Sequence, residues 1–201
     1  MNSLTTQIVV LIVLILLNGF FSLSEMAVVS ARKVRLQQRA EEGNNGAKTA
    51  LALSVQPTRF LSTVQIGITL IGILSGALGG ATIAEPLTLY FSQYPALQPY
   101  SEAIAVALVV TLVTYLSLVI GELVPKRLAL NNAEGIAISV APFMDFVSKI
   151  AKPFVSLLSF STEIIVRLLR IKPASEPAIT EEEVKILIDQ GRQSGIFEDV
   201  E

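Results

Sequence analysis

Apolar residues in this chain come in long blocks rather than in the short alternating or amphipathic patterns of a soluble domain. Three blocks reach the roughly twenty residues that a helix needs to cross a bilayer: about 6–30, 60–84 and 103–123. The predicted fold class is therefore an all-α membrane protein with three transmembrane helices. A fourth apolar stretch, 135–169, is interrupted by Asp145, Lys149 and Lys152 and carries Pro142 and Pro153, which should break its helix. Its uncharged runs of ten residues, 135–144 and 153–162, suit interfacial or re-entrant helices better than a span. A juxtamembrane or re-entrant helical hairpin is expected at about 135–170. Between the first two spans, Gly43-Asn44-Asn45-Gly46 reads as a turn joining two short helices.

Polar punctuation places the remaining segments. Prolines and tyrosines at Pro86, Tyr94, Pro95 and Pro99 mark an interfacial loop between the second and third spans. Lys172 to Pro177 reads as a linker, after which Thr180 and Glu183 form a capping box opening a cytosolic helical tail. Residues 1–172 are read as the transmembrane domain and 173–201 as the linker and start of a cytosolic region, cut short within an acidic stretch at its end. Residues 1–24 lack any charged side chain, so the positive n-region of a signal peptide is missing and the first block is read as a retained helix.

Charge sets the orientation. The segment 31–59 carries Arg32, Lys33, Arg35, Arg39, Lys48 and Arg59, whereas 85–102 has no Lys or Arg. The positive-inside rule puts the first loop and the C-terminus in the cytosol and the N-terminus outside, in a plasma (inner) membrane.

Composition narrows the chemistry. With 201 residues, 52% hydrophobic, 16% charged and net charge −2, the chain has no basic surplus to support nucleic-acid binding. Cysteine and histidine are absent, which excludes disulfides, thiolate and imidazole metal sites and His-based catalysis. No nucleophile–base pair or Gly-rich phosphate loop points to an enzyme. Any metal here is held by oxygen, as suits magnesium, calcium, manganese, sodium or potassium.

Candidate ligands lie inside the spans, where ionisable groups are functional suspects. Glu122 closes the long uncharged run of the third span, and Pro125, having no N–H, deprives the Gly121 carbonyl of its helical donor. A carboxylate and a freed carbonyl at a helix break suit a small hard cation. Asn18, Ser22 and Glu25 follow one another on the first helix, Gln65, Thr69 and Ser75 on the second, and Thr111, Thr114 and Ser117 precede Glu122. Counted from the cytosolic ends, the main polar groups of each span lie roughly 6–15 Å deep, all in the same half of the bundle. Each also has a structural reading: Ser and Thr bond back to their own helix, Gln65 joins helices, Glu122 pairs with Lys126 one turn on, and Glu25 reaches a nearby arginine. Gly72, Gly76 and Gly80 form a small-xxx-small stripe that serves either packing within the bundle or a dimer seam.

Together, Phe20-Phe21-Ser22-Leu23-Ser24-Glu25, the basic stretch after it, Gln65-Ile66-Gly67-Ile68-Thr69-Leu70 and Gly121-Glu122-Leu123-Val124-Pro125-Lys126 resemble the CNNM/CorC family, shared by animal cyclin-M transporters and bacterial hemolysin-C-like proteins. The resemblance covers residues 1–172, and 180–201 resembles the family's lead-in to a paired CBS module. It implies a homodimer with three spans per subunit, cytosolic CBS domains that bind ATP-magnesium, and export of dehydrated Mg2+, coupled in some members to Na+. Carried over position by position, the implied ligands are Ser22, the neighbourhood of Thr69, the Gly121 carbonyl and Glu122, with Glu25 and Ser75 as further candidates. Ile68 departs from the asparagine of many members, so Thr69 or Ser75 is expected to substitute. Two alternatives stand beside magnesium export: an organic-cation (polyamine) exporter, and a membrane anchor or sensor for a nucleotide-binding regulator.

Overall fold

The computed structural model describes residues 3–169 and Lys185, and the chain divides into two compact units, residues 1–158 and 159–201. The described part is built of helices: α1 (Ser3–Ser30), α2 (Lys33–Glu41), α3 (Asn45–Val55), α4 (Pro57–Phe91), α5 (Ser101–Leu118), α6 (Val124–Asn131) and α7 (Ala133–Leu168). A 3-10 turn, Gln98–Tyr100, leads into α5, and a π-helical turn, Val119–Leu123, joins α5 to α6. The linker and capping box expected over 173–201 fall outside the described residues, apart from Lys185. Of the second unit, residues 159–169 are described, and there Arg167 pairs with Glu163 one turn away.

Three helical stretches are long and apolar enough to span a membrane, Leu4–Ser30, Pro57–Phe91 and Gln98–Asn131. They contain the three predicted blocks and extend beyond each of them, the first by only two residues. At 1.5 Å per residue the second is about 50 Å long, well beyond the roughly 30 Å hydrocarbon core. Their outward positions are apolar: Val9, Ile12, Val13 and Leu16 of α1, Ile73 of α4 and Leu108 and Leu112 of α5 are all exposed. That is a lipid-facing surface, inverted relative to a soluble bundle. All-α architecture follows from the same cause, since a helix satisfies its own backbone where no water is at hand.

Two apolar cores hold the first unit together. Near the Glu122 end, Val28, Leu36, Phe60, Val64 and Met144 are almost wholly buried and join α1, α2, α4 and the first half of α7. Toward the other end, Leu11, Ile15, Ala84, Val109 and Val113 join α1, α4 and α5. Close approach depends on glycine at specific points. A Cβ on Gly67 would lie 2.8 Å from the Phe21 ring, and one on Gly79 would lie 3.0 Å from Val113.

The α2–α3 hairpin has the turn expected of it. Gly43 takes φ 93°, a conformation side chains disfavour, and Asn44 caps α3 by accepting the Ala47 N–H at 3.0 Å.

The hairpin expected at 135–170 is corrected: α7 runs unbroken from Ala133 to Leu168 with Pro142 and Pro153 inside it. Pro142 does remove the donor of the Ile138 carbonyl. The first turn of α3 covers that oxygen, for a Cβ on Gly46 would stand only 2.6 Å from it. That close packing accompanies the unbroken helix at Pro142, while Pro153 sits further along the same helix. The beginning of α7 is also tied down electrostatically. The Glu134 carboxyl is held below its ordinary value chiefly by its own backbone N–H, with the Arg32 N–H and the charges of Arg35 and Arg32 assisting.

Candidate functional site

The Gly121 carbonyl, which Pro125 cannot serve, is engaged from another helix. Pro125 sits in the first turn of α6, and the chain before it widens into the π-helical turn. Pro125 therefore does not break the third span, which runs on to Asn131; this corrects the expected helix break. The physical reason lies across the interface, where the Asn18 side-chain amide donates to the Gly121 carbonyl at 3.1 Å within the protein interior. A neighbouring side chain replaces the lost backbone donor, as membrane helices with proline commonly arrange.

Two glycines allow that bond. A Cβ on Gly19 would stand 3.1 Å from both the Ile120 carbonyl and the Pro125 ring, and one on Gly121 would stand 3.1 Å from the Asn18 amide and 3.2 Å from the Ile15 carbonyl. Backbone therefore meets backbone where α1 crosses the π turn.

Beside this crossing lie oxygens with nothing to bind. Ser22 is fully buried, and among the described residues neither its Oγ nor the buried Asn18 Oδ1 has a hydrogen-bond partner. Ser24, equally buried, is satisfied by the Phe20 carbonyl at 2.7 Å and is structural. Buried polar atoms without partners carry a free-energy cost that needs a reason.

One turn further along α1 stands Glu25. It shares a cation with Glu122: Lys126 Nζ lies 2.7 Å from Glu122 Oε1 and 3.8 Å from Glu25 Oε2. The pairing of Glu122 with Lys126 one turn on was expected as the structural reading, whereas the reach to Glu25 on another helix was not. All three side chains are partly exposed, between 24% and 37%, so the pair opens to the surroundings while the oxygens behind it do not.

Of the predicted ligands, then, Gly121 is bonded to Asn18 of α1, Glu25 and Glu122 share Lys126, and Ser22 stands on α1 between Asn18 and Glu25. Thr69 does not join them: it lies on an exposed face of α4, where Gln65 approaches it at 3.5 Å. Ser75 is buried within the bundle. Ile68 packs against the core that contains Phe21 and Val28. Among the described residues no three acidic side chains gather round one point; the site consists of two carboxylates backed by neutral oxygens. A Cβ placed on Gly72, Gly76 or Gly80 would meet nothing within 4 Å, so among the described residues nothing packs against the stripe.

The sequence comparisons agree with this architecture. A family profile described as the cyclin M transmembrane N-terminal domain matches residues 9–201. The chain belongs to the CNNM family. Among curated CNNM relatives, the UPF0053 protein sll0260 of Synechocystis is 50% identical over 200 residues, covering 100% of this chain and 45% of that protein. The UPF0053 protein YrkA of Bacillus subtilis is 32% identical over 193 residues, 95% of this chain and 44% of that one. A protein of Haemophilus influenzae named polyamine export protein is 30% identical over 194 residues, 94% of this chain and 44% of that one. The chain thus spans less than half the length of these relatives.

Asn18 and Gly19 were the residues that sequence reasoning undervalued. An asparagine in a membrane span, one turn from Ser22, is a visible signal. Its partner is not visible, because Gly121 lies 103 residues away.

Proposed function

We propose that this CNNM chain is the membrane part of a cation exporter and that Mg2+ is its cargo, loaded from the cytosolic side beside Ser22, Glu25, Gly121 and Glu122. The observation that carries the reading is a pair of buried oxygens without partners among the described residues, Ser22 Oγ and Asn18 Oδ1, on the same helix as Glu25, whose carboxylate shares Lys126 with Glu122. Oxygen donors of this kind suit a hard cation, and the Gly121 carbonyl keeps a second lone pair after accepting from Asn18. Two carboxylates match the charge of a divalent ion in a medium where an uncompensated one is prohibitive. Release on the far side requires the helices to rearrange, with Na+ re-entry at the same acids as the driving step. The exposed stripe Gly72-Gly76-Gly80 is the seam of a homodimer in this reading, Thr69 stands on that same face, and CBS domains of the longer protein regulate transport.

A second reading is favoured by two specific observations. A relative is named polyamine export protein, and the carboxylate pair here already holds a primary ammonium, that of Lys126. Flux measurements with the full-length protein in liposomes, using Mg2+, Mn2+, Na+ and putrescine in turn, separate the readings. Mg2+ flux abolished by Glu122→Gln supports magnesium; putrescine flux alone moves the assignment to polyamines. No flux of any cation leaves the chain as an anchor for a nucleotide-binding regulator and overturns both.

A further inference from the structure

We infer that Lys126 is a tethered counter-cation: its ammonium occupies the Glu25–Glu122 pair while cargo is absent and is displaced when cargo arrives, so that Lys126 sets cargo affinity without being a ligand. The inference rests on the reading that this site takes a cation, and it deepens that reading.

Geometry distinguishes Lys126 from an ordinary helix-surface pair. Its bond to Glu122, 2.7 Å and one turn away, is what any i,i+4 pair makes. Its approach to Glu25 at 3.8 Å crosses from α6 to α1. The neighbouring Arg127 is exposed, whereas Lys126 is partly buried between the two acids. A single ammonium thus stands where the carboxylates of two helices converge.

Charge explains why it must leave. Two carboxylates and one ammonium leave the cargo-free site at −1. A divalent ion added on top would set +3 against −2, which low dielectric penalises. With the ammonium swung out along its flexible stem, the same ion and the two acids sum to zero. Lysine suits this exchange better than arginine, since its ammonium is a compact point charge on four methylenes, whereas a guanidinium locks onto carboxylates with two parallel bonds.

Lys126 also leaves part of the site unserved. It makes no hydrogen bond to Ser22 Oγ or Asn18 Oδ1, both of which remain without partners.

The test is calorimetric titration of the full-length protein with Mg2+, and separately with putrescine, for wild type, Lys126→Met and Lys126→Arg. Removing the internal competitor is expected to tighten cation binding by about 5- to 150-fold, the usual range of coupling between two binding events. Lys126→Arg, which retains the charge and grips the acids, should bind as wild type does or more weakly. Should Lys126→Met fail to fold by circular dichroism, Lys126→Gln carries the same expectation. If wild type binds a cation and the neutral variant binds it no more tightly, the tethered role is refuted while the transport reading stands. If wild type binds neither cation, both are refuted together.

Discussion

The bond from Asn18 to the Gly121 carbonyl should behave as a substitute for the one that Pro125 removes, and a double-mutant cycle can measure this. In Asn18→Ala the Gly121 carbonyl, buried and already without its helical donor, loses its partner at 3.1 Å. Leaving such a group unsatisfied costs about 1–3 kcal/mol; hydrogen bonds between membrane helices average nearer 0.6 kcal/mol and reach about 1.7. Asn18 Oδ1 is unpartnered in the native protein, so deleting the side chain also relieves one desolvated atom and keeps the net loss to about 1–2 kcal/mol. For a chain of this size that is a fall in melting temperature of about 2–8 °C. In a Pro125→Ala background position 125 regains an N–H able to serve the Gly121 carbonyl, and Asn18→Ala should then cost less. The expected coupling is about 0.5–1.5 kcal/mol, read from thermal melts in detergent or from steric-trap unfolding in bicelles. Equal cost of Asn18→Ala in both backgrounds would show that the two donors do not serve the same carbonyl, and the account of the π turn would fail.

Other expectations follow from the same contacts. Gly19→Leu forces a side chain into a space 3.1 Å from the Ile120 carbonyl and the Pro125 ring; it should destabilise the protein by about 1–3 kcal/mol in the same melts, with Gly19→Ala milder. Gly76→Ile meets nothing among the described residues, so its melting temperature as a monomer should hold while light scattering reports a loss of any dimer sealed there; an unchanged dimer would exclude the α4 stripe as the seam. For Glu134 the folded carboxyl lies below its ordinary value of 4.5, so its contribution is present above that pH and disappears as pH falls through the lower, folded value. Glu134→Gln should accordingly lower stability only slightly at neutral pH, since solvent screens so exposed a charge, and not at all once wild type is fully protonated; a difference persisting unchanged into strong acid would contradict the assignment.

Much of this fold was legible in the order of residues. The three spans follow from uncharged runs alone, because in lipid a helix must close its own hydrogen bonds and a single strand cannot. The α2–α3 turn follows from Gly43-Asn44, where a positive φ and a capping carboxamide are written into two adjacent residues. Glu122 and Ser22 stood out because a polar group at that depth costs too much to be incidental. Proline misled at three positions, Pro125, Pro142 and Pro153, none of which ends its helical stretch. At Pro125 the lost N–H was visible, while the donor that answers the freed carbonyl was Asn18 of α1, distant in sequence. Local chemistry states which carbonyl is freed; only packing decides who answers it. The same holds for charge. Lys126 one turn from Glu122 is readable as a pair, but its reach to Glu25 depends on where Gly19 and Gly121 let α1 and the π turn meet. The chain by itself determined that it crosses a membrane and where its oxygens lie along each helix. The tertiary structure decided which of those oxygens share a site, since rotation and approach of helices are set by side chains far apart in the sequence.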